Sequence, residues 1–173
     1  LPICLGYFPV SFAYGMSVVL SGMPAWAAVL ISLTNLTSAG QFAGSSLMLA
    51  GGGYLEIALT TVIINIRYFL MSLALSQKVD EKMTGVQRLL VSFGITDEIF
   101  AVSMQNERKL TASYLAGLIL TPMIGWTGGT LAGGILTSFL PTIVTNALSI
   151  ALYGMFIAVI IPPSRKKKSV LFT

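Results

Sequence analysis

Hydrophobic residues run along this chain in long continuous stretches, separated by short polar or glycine-rich connections. Alternation of polar and apolar residues, as in a half-buried strand or a barrel strand, is absent from these stretches. Several are long enough to cross a bilayer as a helix at a rise of about 1.5 Å per residue. The pattern predicts an all-α membrane protein with six transmembrane helices, at residues 2–20, 25–50, 54–76, 89–104, 110–139 and 142–161.

Two of these stretches, 25–50 and 110–139, are long for one straight crossing, and each contains an interruption. The first interruption is the segment from Ser38 to Gly44, and the second begins at Thr121-Pro122 and continues through a glycine-rich tract. A broken helix frees backbone N–H and C=O groups, which neighbours, water or a ligand must satisfy inside a membrane. We therefore expect the second and fifth helices to be interrupted.

The two halves of the chain also share residues in the same order. The pairs are Gly6 with Gly94, Gly40 and Gly44 with Gly125 and Gly129, and Thr61 and Asn65 with Thr142 and Asn146. Three spans in each copy would invert the second copy relative to the first, as in many secondary transporters. The sequence predicts one transmembrane domain over 1–173: repeat one at 1–76, a loop at 77–88, repeat two at 89–161 and a basic loop at 162–169. Chance similarity of glycine-rich helices is the alternative.

Paired interruptions in matching positions point to a site near the middle of the membrane. The N-terminus of a half-helix offers free amides and a positive dipole end, which suit a carboxylate. Gly40, Gln41, Gly44 and Gly125 are the candidates for this site. The alternative is close helix packing, because glycines four residues apart let two helices approach each other.

Charged and polar side chains inside the apolar stretches are the second set of candidates. Asn65 and Arg67 lie in the third span, and Asp97-Glu98 lies in the fourth. An arginine at the centre of a membrane helix costs about 3 kcal/mol or more, so it requires a partner or a task. Asp97 and Glu98 face about 100° apart on a helix. One of them can pair with Arg67 while the other faces a cavity, and the sequence leaves open which does so.

Asn146 in the sixth span, which corresponds to Asn65 in the repeat, completes the candidate residues. A purely structural ion pair between helices remains the alternative for the charged ones.

Composition narrows the function further. The chain has 173 residues, of which 55% are hydrophobic and 9% charged, with a mean hydropathy of +0.86. Soluble domains carry about 25% charged residues, so an ordinary soluble fold is excluded. With one cysteine and no histidine, we expect no disulfide, metal or cofactor. No nucleophile–base set is visible either, which argues against an enzyme.

The distribution of basic residues predicts the orientation. Basic residues cluster at 165–168, directly after an apolar stretch, and such clusters hold loops on the cytoplasmic side. Six crossings would place the loop at 106–109 on that same side and the loop at 77–88 on the other. We expect the basic cluster to meet lipid headgroups rather than nucleic acid, since nothing else in the chain supports nucleic-acid binding.

Four segments, in this order, resemble AzlC-type branched-chain amino acid permeases. They are 6–15, 38–44, Asn65-Ile66-Arg67-Tyr68 and 96–101, the last of which contains Thr96-Asp97-Glu98. The resemblance implies the large subunit of a two-component system in the cytoplasmic membrane. Its partner would be a small hydrophobic protein of the AzlD type, and the pair would export amino acids such as valine. Members of the family are longer at both ends, so we expect this chain to be a fragment.

The sequence hypothesis is therefore a secondary exporter of small apolar amino acids, driven by an ion gradient. The substrate carboxylate would meet a half-helix N-terminus or Arg67, and its ammonium group would meet Asp97 or Glu98. Two alternatives remain open. One is a channel, or a permease for a different small solute, and the other is a membrane scaffold that transports nothing.

Overall fold

The computed structural model of the protein describes residues 2–137, together with residues 139 and 143. The described part contains seven α-helices: α1 (Pro2–Leu20), α2 (Ala25–Thr34), α3 (Ser38–Leu49), α4 (Tyr54–Ser76), α5 (Gly85–Phe93), α6 (Asp97–Gln105) and α7 (Ala112–Leu136). The all-helical prediction is confirmed for these residues. The predicted sixth span, apart from residue 143, and the basic loop lie outside the described residues.

Three helices, α1, α4 and α7, are long and apolar enough to cross a membrane. α1 and α4 have the bounds that the sequence predicted for the first and third spans. Two glycines with positive φ, Gly22 and Gly51, lie in the turns that follow α1 and α3, where a side chain would strain the backbone. The remaining four helices are much shorter and form two pairs.

The first pair, α2 and α3, occupies the predicted second span. The second span is interrupted, as predicted, but the break lies at residues 35–37, and the segment from Ser38 to Gly44, where the sequence placed it, is helical. Ala28 on α2 packs in the same cluster as Tyr14 of α1, whereas Leu36 packs beside Tyr7, seven residues nearer the start of α1. Ser45 on α3 then returns to the level of Tyr14, with the two hydroxyl oxygens 2.7 Å apart. α2 therefore runs inward and α3 runs back to the side on which α2 began.

The second pair, α5 and α6, occupies the predicted fourth span and corrects that prediction. The helix that was expected to cross is broken at residues 94–96, and each half has nine residues, or about 13 Å of rise. Gly94 at the break packs against Ile119, in the interior of α7. The Lys78 ammonium, by contrast, donates to the Met104 carbonyl at 2.7 Å near the end of α6. This pair also enters and returns on one side.

The loops at 77–88 and 106–109 consequently lie on the same side, and the prediction of opposite sides was wrong. The Asp80 amide donates to the Leu110 carbonyl at 2.9 Å, and the Leu110 amide donates to the Lys78 carbonyl at 3.0 Å. These two bonds form a short parallel bridge between the loops. The physical reason is the break at 94–96, because two half-length helices return the chain to the side where it started.

The expected interruption of the fifth helix was also wrong, since α7 continues from Ala112 to Leu136 through Pro122. Proline removes one backbone hydrogen bond, and a long, well-packed helix tolerates this loss. The glycines that follow pack against α1: a Cβ atom at Gly125 would lie 2.7 Å from the Cys4 carbonyl oxygen, and one at Gly129 would lie 2.5 Å from that of Phe8. The glycine-rich tract thus serves close helix packing.

The predicted 3+3 inverted repeat stays a prediction, because the segment that would complete its second copy lies outside the described residues. The two half-helix pairs do enter from opposite sides. α3 runs in the direction of α1, toward the end of α1 at Leu20, and α6 runs toward the bridge between the two loops. Their inner ends therefore meet in the interior, at the level where α1 begins.

Candidate functional site

The inner ends of the two half-helix pairs enclose a cavity of about 370 Å³. It is lined by α1 and α4 side chains and by both breaks: Pro2, Ile3, Gly6, Tyr7, Val10, Leu36, Ser38, Tyr68, Thr96, Asp97, Glu98 and Trp126. One part of the lining, the apolar wall, includes Ile3 and Val10, and another part, the acidic wall, carries the carboxylates of Asp97 and Glu98. A largely apolar cavity with a few convergent polar groups is typical of a small-molecule site.

The acidic wall is formed by the first turn of α6. Thr96 is the N-cap of this helix, and its hydroxyl accepts a hydrogen bond from the Ile99 amide at 3.4 Å. Threonine suits this position because its side chain replaces the backbone partner that the first turn lacks. The cap places Asp97 and Glu98 in the first turn, where the helix dipole stabilises negative charge. Sequence reasoning expected both residues in mid-helix, and the break explains the difference.

Arg67 pairs with Asp97, which decides between the two carboxylates that the sequence left open. Arg67 Nη2 lies 2.9 Å from Asp97 Oδ2, and both side chains are about half exposed, at 47% and 46%. The guanidinium carbon also lies 5.2 Å from the centre of the Tyr68 ring, at a distance suited to a cation–π contact. The pair joins α4 to the inner end of α6 and neutralises the Asp97 charge at the edge of the cavity.

Glu98 has a different partner, Tyr7. The Tyr7 hydroxyl hydrogen-bonds to the Glu98 carboxylate and lies 2.6 Å from the Thr96 hydroxyl. The Tyr7 ring packs edge-on against Trp126, with centroids 5.4 Å apart. Glu98 thus carries a negative charge into the cavity without an ion-pair partner among the residues that the structure describes.

Sequence reasoning missed Tyr7 as a site residue. The available signal was a phenol inside an apolar span, since a buried tyrosine hydroxyl usually needs a polar partner. In the structure Tyr7 contacts both half-helix pairs: Leu36 of the first pair is in its apolar cluster, and Thr96 and Glu98 of the second pair are its hydrogen-bond partners. Tyr7 therefore connects the two breaks.

The first break contributes the N-terminus of α3 to the cavity, at Ser38. Thr37 is the N-cap residue, but its side chain forms no capping hydrogen bond with α3. Its hydroxyl donates instead to the Asn35 side-chain oxygen at 2.6 Å. The first-turn amides of α3 therefore keep their capacity to donate to a group in the cavity.

Three predicted site residues, Gly40, Gly44 and Asn65, lie where α3 packs against α4. A Cβ atom at Gly40 would lie 2.6 Å from Asn65 Nδ2, and one at Gly44 would lie 3.4 Å from the Thr61 hydroxyl. The Asn65 side-chain oxygen is buried without a hydrogen-bond partner in the structure. These residues do not line the cavity. The close-packing alternative fits both glycines.

Gln41 lies beside the cavity wall, in a buried hydrogen-bond network. Its amide nitrogen donates to the Ser32 hydroxyl at 2.6 Å, and its oxygen accepts from Trp126 Nε1 at 2.9 Å. Ser32 in turn lies 2.7 Å from the Thr130 hydroxyl. The network ties the first half-helix pair to α7 and orients Trp126, which lines the cavity.

The other two predicted residues lie away from the cavity wall. Gly125 faces the Cys4 sulfur in the α1–α7 contact. Asn146 lies outside the described residues. The structure therefore brings Asp97 and Glu98 into the cavity and Arg67 to its edge. Gly40, Gly44, Gly125, Asn65 and Gln41 lie in the surrounding helix contacts.

Three helices of membrane-spanning length, two inward-pointing half-helix pairs and a cavity between their breaks define a helical membrane protein with an interior cavity. A family model described as AzlC protein matches residues 2–140. The chain belongs to this family, and the resemblance found in the sequence is confirmed.

Two curated relatives are membrane proteins by name. The chain is 26% identical over 182 residues to "Inner membrane protein YgaZ" of Escherichia coli, with 100% of the chain and 74% of the relative covered. It is 31% identical over 166 residues to "Uncharacterized membrane protein" of Archaeoglobus fulgidus, with 93% of the chain and 71% of the relative covered. No solved structure matches the chain significantly.

Proposed function

We propose that the protein is a secondary transporter that exports small apolar amino acids across the cytoplasmic membrane. The observation that supports this function best is the cavity where the two breaks meet. It combines the N-terminus of α3, an apolar wall and a carboxylate that has no ion-pair partner among the described residues. An α-amino acid with an aliphatic side chain has three groups that complement these three features.

Each part of the substrate has a proposed partner. The substrate carboxylate would accept hydrogen bonds from the first-turn amides of α3 at Ser38, where the helix dipole favours an anion. Its ammonium group would pair with Glu98, which Tyr7 orients. The aliphatic side chain would lie against the apolar wall of Ile3 and Val10. Arg67 would act indirectly, by holding Asp97.

Glu98 is also the proposed coupling residue. With no histidine in the chain, carboxylates are the side chains best suited to carry a proton. Asp97 is already paired with Arg67. Glu98 can exchange its proton against the substrate ammonium group, since both would occupy the same part of the cavity. The proposal is therefore proton-coupled exchange at Glu98.

A small hydrophobic membrane subunit of the AzlD type is the proposed partner. The resemblance in the sequence implies this partner, and α4 offers a long apolar surface for such a contact. Of the residues of α4, Leu75 alone is buried in the described part of the chain. Lipid would cover whatever part of this surface a partner leaves exposed.

The test is export of valine from cells that are loaded with a valine-containing dipeptide. The protein is produced alone, with its proposed small partner, and with that partner in a Glu98→Gln variant. Faster, saturable efflux that requires the protein and its partner, together with its loss in Glu98→Gln, is the expected result. Asp80→Asn is the matched control, because Asp80 lies in the loop bridge away from the cavity.

Three outcomes would contradict the proposal. No efflux above empty vector, with both proteins present in the membrane, would exclude valine export. Efflux that does not saturate with valine concentration would indicate a channel. Full efflux in Glu98→Gln would remove Glu98 from the mechanism.

A further inference from the structure

Gly6 lies at the centre of the α1 stripe that faces the cavity. Ile3, Gly6, Tyr7 and Val10 line it, and these positions follow the three- and four-residue spacing of one helix face. Ile3 lies one turn before Gly6 and Val10 lies one turn after it. Gly6 is therefore a gap in an otherwise continuous apolar surface.

Packing against the residues that the structure describes does not explain this glycine. A Cβ atom built at Gly6 would meet nothing within 4 Å. The glycines of α7 that face α1 differ, because a Cβ atom at Gly125 or Gly129 would contact α1 backbone. Glycine in a helix interior lowers helix stability relative to alanine. A glycine that no described neighbour requires, at the wall of a cavity, keeps that space open for a ligand.

We propose that Gly6 sets the size of the substrate side chain that the cavity accepts. This inference rests on the proposed function and deepens it. The aliphatic side chain of the amino acid would lie over Gly6, between Ile3 and Val10, while its ammonium group is held at Glu98. Each carbon added at position 6 would remove an equal volume from this subsite. Larger substrates would then lose binding before smaller ones.

Leucine, valine and alanine test the inference, since all three have aliphatic side chains that differ in volume. Cells that contain the full-length protein and its partner are loaded with dipeptides of each amino acid, and the export rates are compared as ratios. In Gly6→Ala, the ratio of leucine to alanine export should fall about tenfold, the scale of one methylene group in a tight apolar pocket. In Gly6→Val, valine export should fall as well, with alanine export retained.

Gly117→Ala is the matched control. Gly117 is also in a helix interior, and a Cβ atom there also meets nothing within 4 Å, but it does not line the cavity. Both alanine variants should reach the membrane in normal amounts, because alanine is the better helix former. Gly6→Ala therefore keeps the test valid if Gly6→Val fails to fold.

The outcomes separate this inference from the proposed function. Wild-type export with an unchanged ratio in Gly6→Ala would overturn the role of Gly6 and leave the transport function intact. An equal loss of all three amino acids in Gly6→Ala would overturn size selection in the same way. No wild-type export of any of the three would overturn the proposed function and this inference together.

Discussion

Arg67 and Asp97 form an ion pair, with 2.9 Å between Nη2 and Oδ2, that joins the membrane-crossing helix α4 to the inner end of the half-helix α6. The pair connects α4 to a half-helix that begins at the break in the fourth segment. It also removes one of two adjacent carboxylates from competition for a cationic ligand. Glu98 is left to face the cavity with Tyr7.

The ion pair predicts coupled stability. Arg67→Gln and Asp97→Asn should each lower the free energy of unfolding, because each leaves a charge in the membrane interior without its partner. The double variant should lose less than the sum of the two, with a coupling energy of about 1 kcal/mol. Thermal unfolding of the four proteins in detergent measures this cycle. Strict additivity would show that the pair contributes no interaction energy.

Tyr7 and Tyr14 provide a matched pair of tyrosines on α1. Tyr7→Phe should keep the ring packing on Trp126 but lower transport about tenfold, since Glu98 loses the hydroxyl that orients it. Tyr14→Phe removes a 2.7 Å contact with Ser45 away from the cavity. It should cost about 1 kcal/mol of stability with transport retained. Efflux rates, normalised to the amount of each variant in the membrane, test this prediction. Similar transport losses in both variants would argue against a role for Tyr7 in the site.

Gly129 should tolerate no side chain, because α1 lies directly against it. A Cβ atom there would lie 2.5 Å from the Phe8 carbonyl oxygen, so Gly129→Ala should destabilise the protein by about 1–3 kcal/mol. The neighbouring Gly128→Ala is the control, as nothing lies within 4 Å of its Cβ position. The melting temperature should fall in Gly129→Ala and rise in Gly128→Ala, where alanine is the better helix former. Thermal unfolding of both variants measures these shifts. Equal melting temperatures would contradict the close α1–α7 contact.

The two loops joined by the bridge should be labelled from one side of the membrane. In a Cys4→Ser background, Glu81→Cys and Glu107→Cys should react with a membrane-impermeant thiol reagent from the same side. Ser21→Cys, after the end of α1, should react from the other. The reason is that α5 and α6 return the chain to the side where the loop began. Labelling of the cysteines at 81 and 107 from opposite sides of the membrane would show that the segment between them crosses it, as the sequence predicted.

The sequence was a good guide wherever apolar length alone decided the structure. α1 and α4 have their predicted bounds, since an uninterrupted apolar stretch of that length has few alternatives in a membrane. The sequence also indicated that the second span is interrupted, although it placed the interruption at Ser38 to Gly44 and the structure has it at residues 35–37. Arg67 and Asp97 were recognisable because charged side chains are costly in an apolar stretch.

Sequence reasoning was misleading wherever a break depended on neighbouring helices. Pro122 suggested an interruption, but α7 continues because α1 packs along its glycines. A single glycine, Gly94, predicts a helix break less strongly than Pro122 does, and yet the helix breaks at Gly94. Local propensity could not separate these cases, because the packing partners of each segment lie far away in the chain.

The sequence by itself determined that this is a helical membrane protein of the AzlC family with acidic and basic groups in its interior. Composition, the length of the apolar stretches and a few specific segments are properties of the sequence, and they do not depend on how the chain folds. Tertiary structure alone decided that Arg67 holds Asp97, that Tyr7 meets Glu98, and that two half-helix pairs enclose one cavity. These relationships join residues about 30 to 120 positions apart, and they arise because buried polar groups find partners only when distant helices pack.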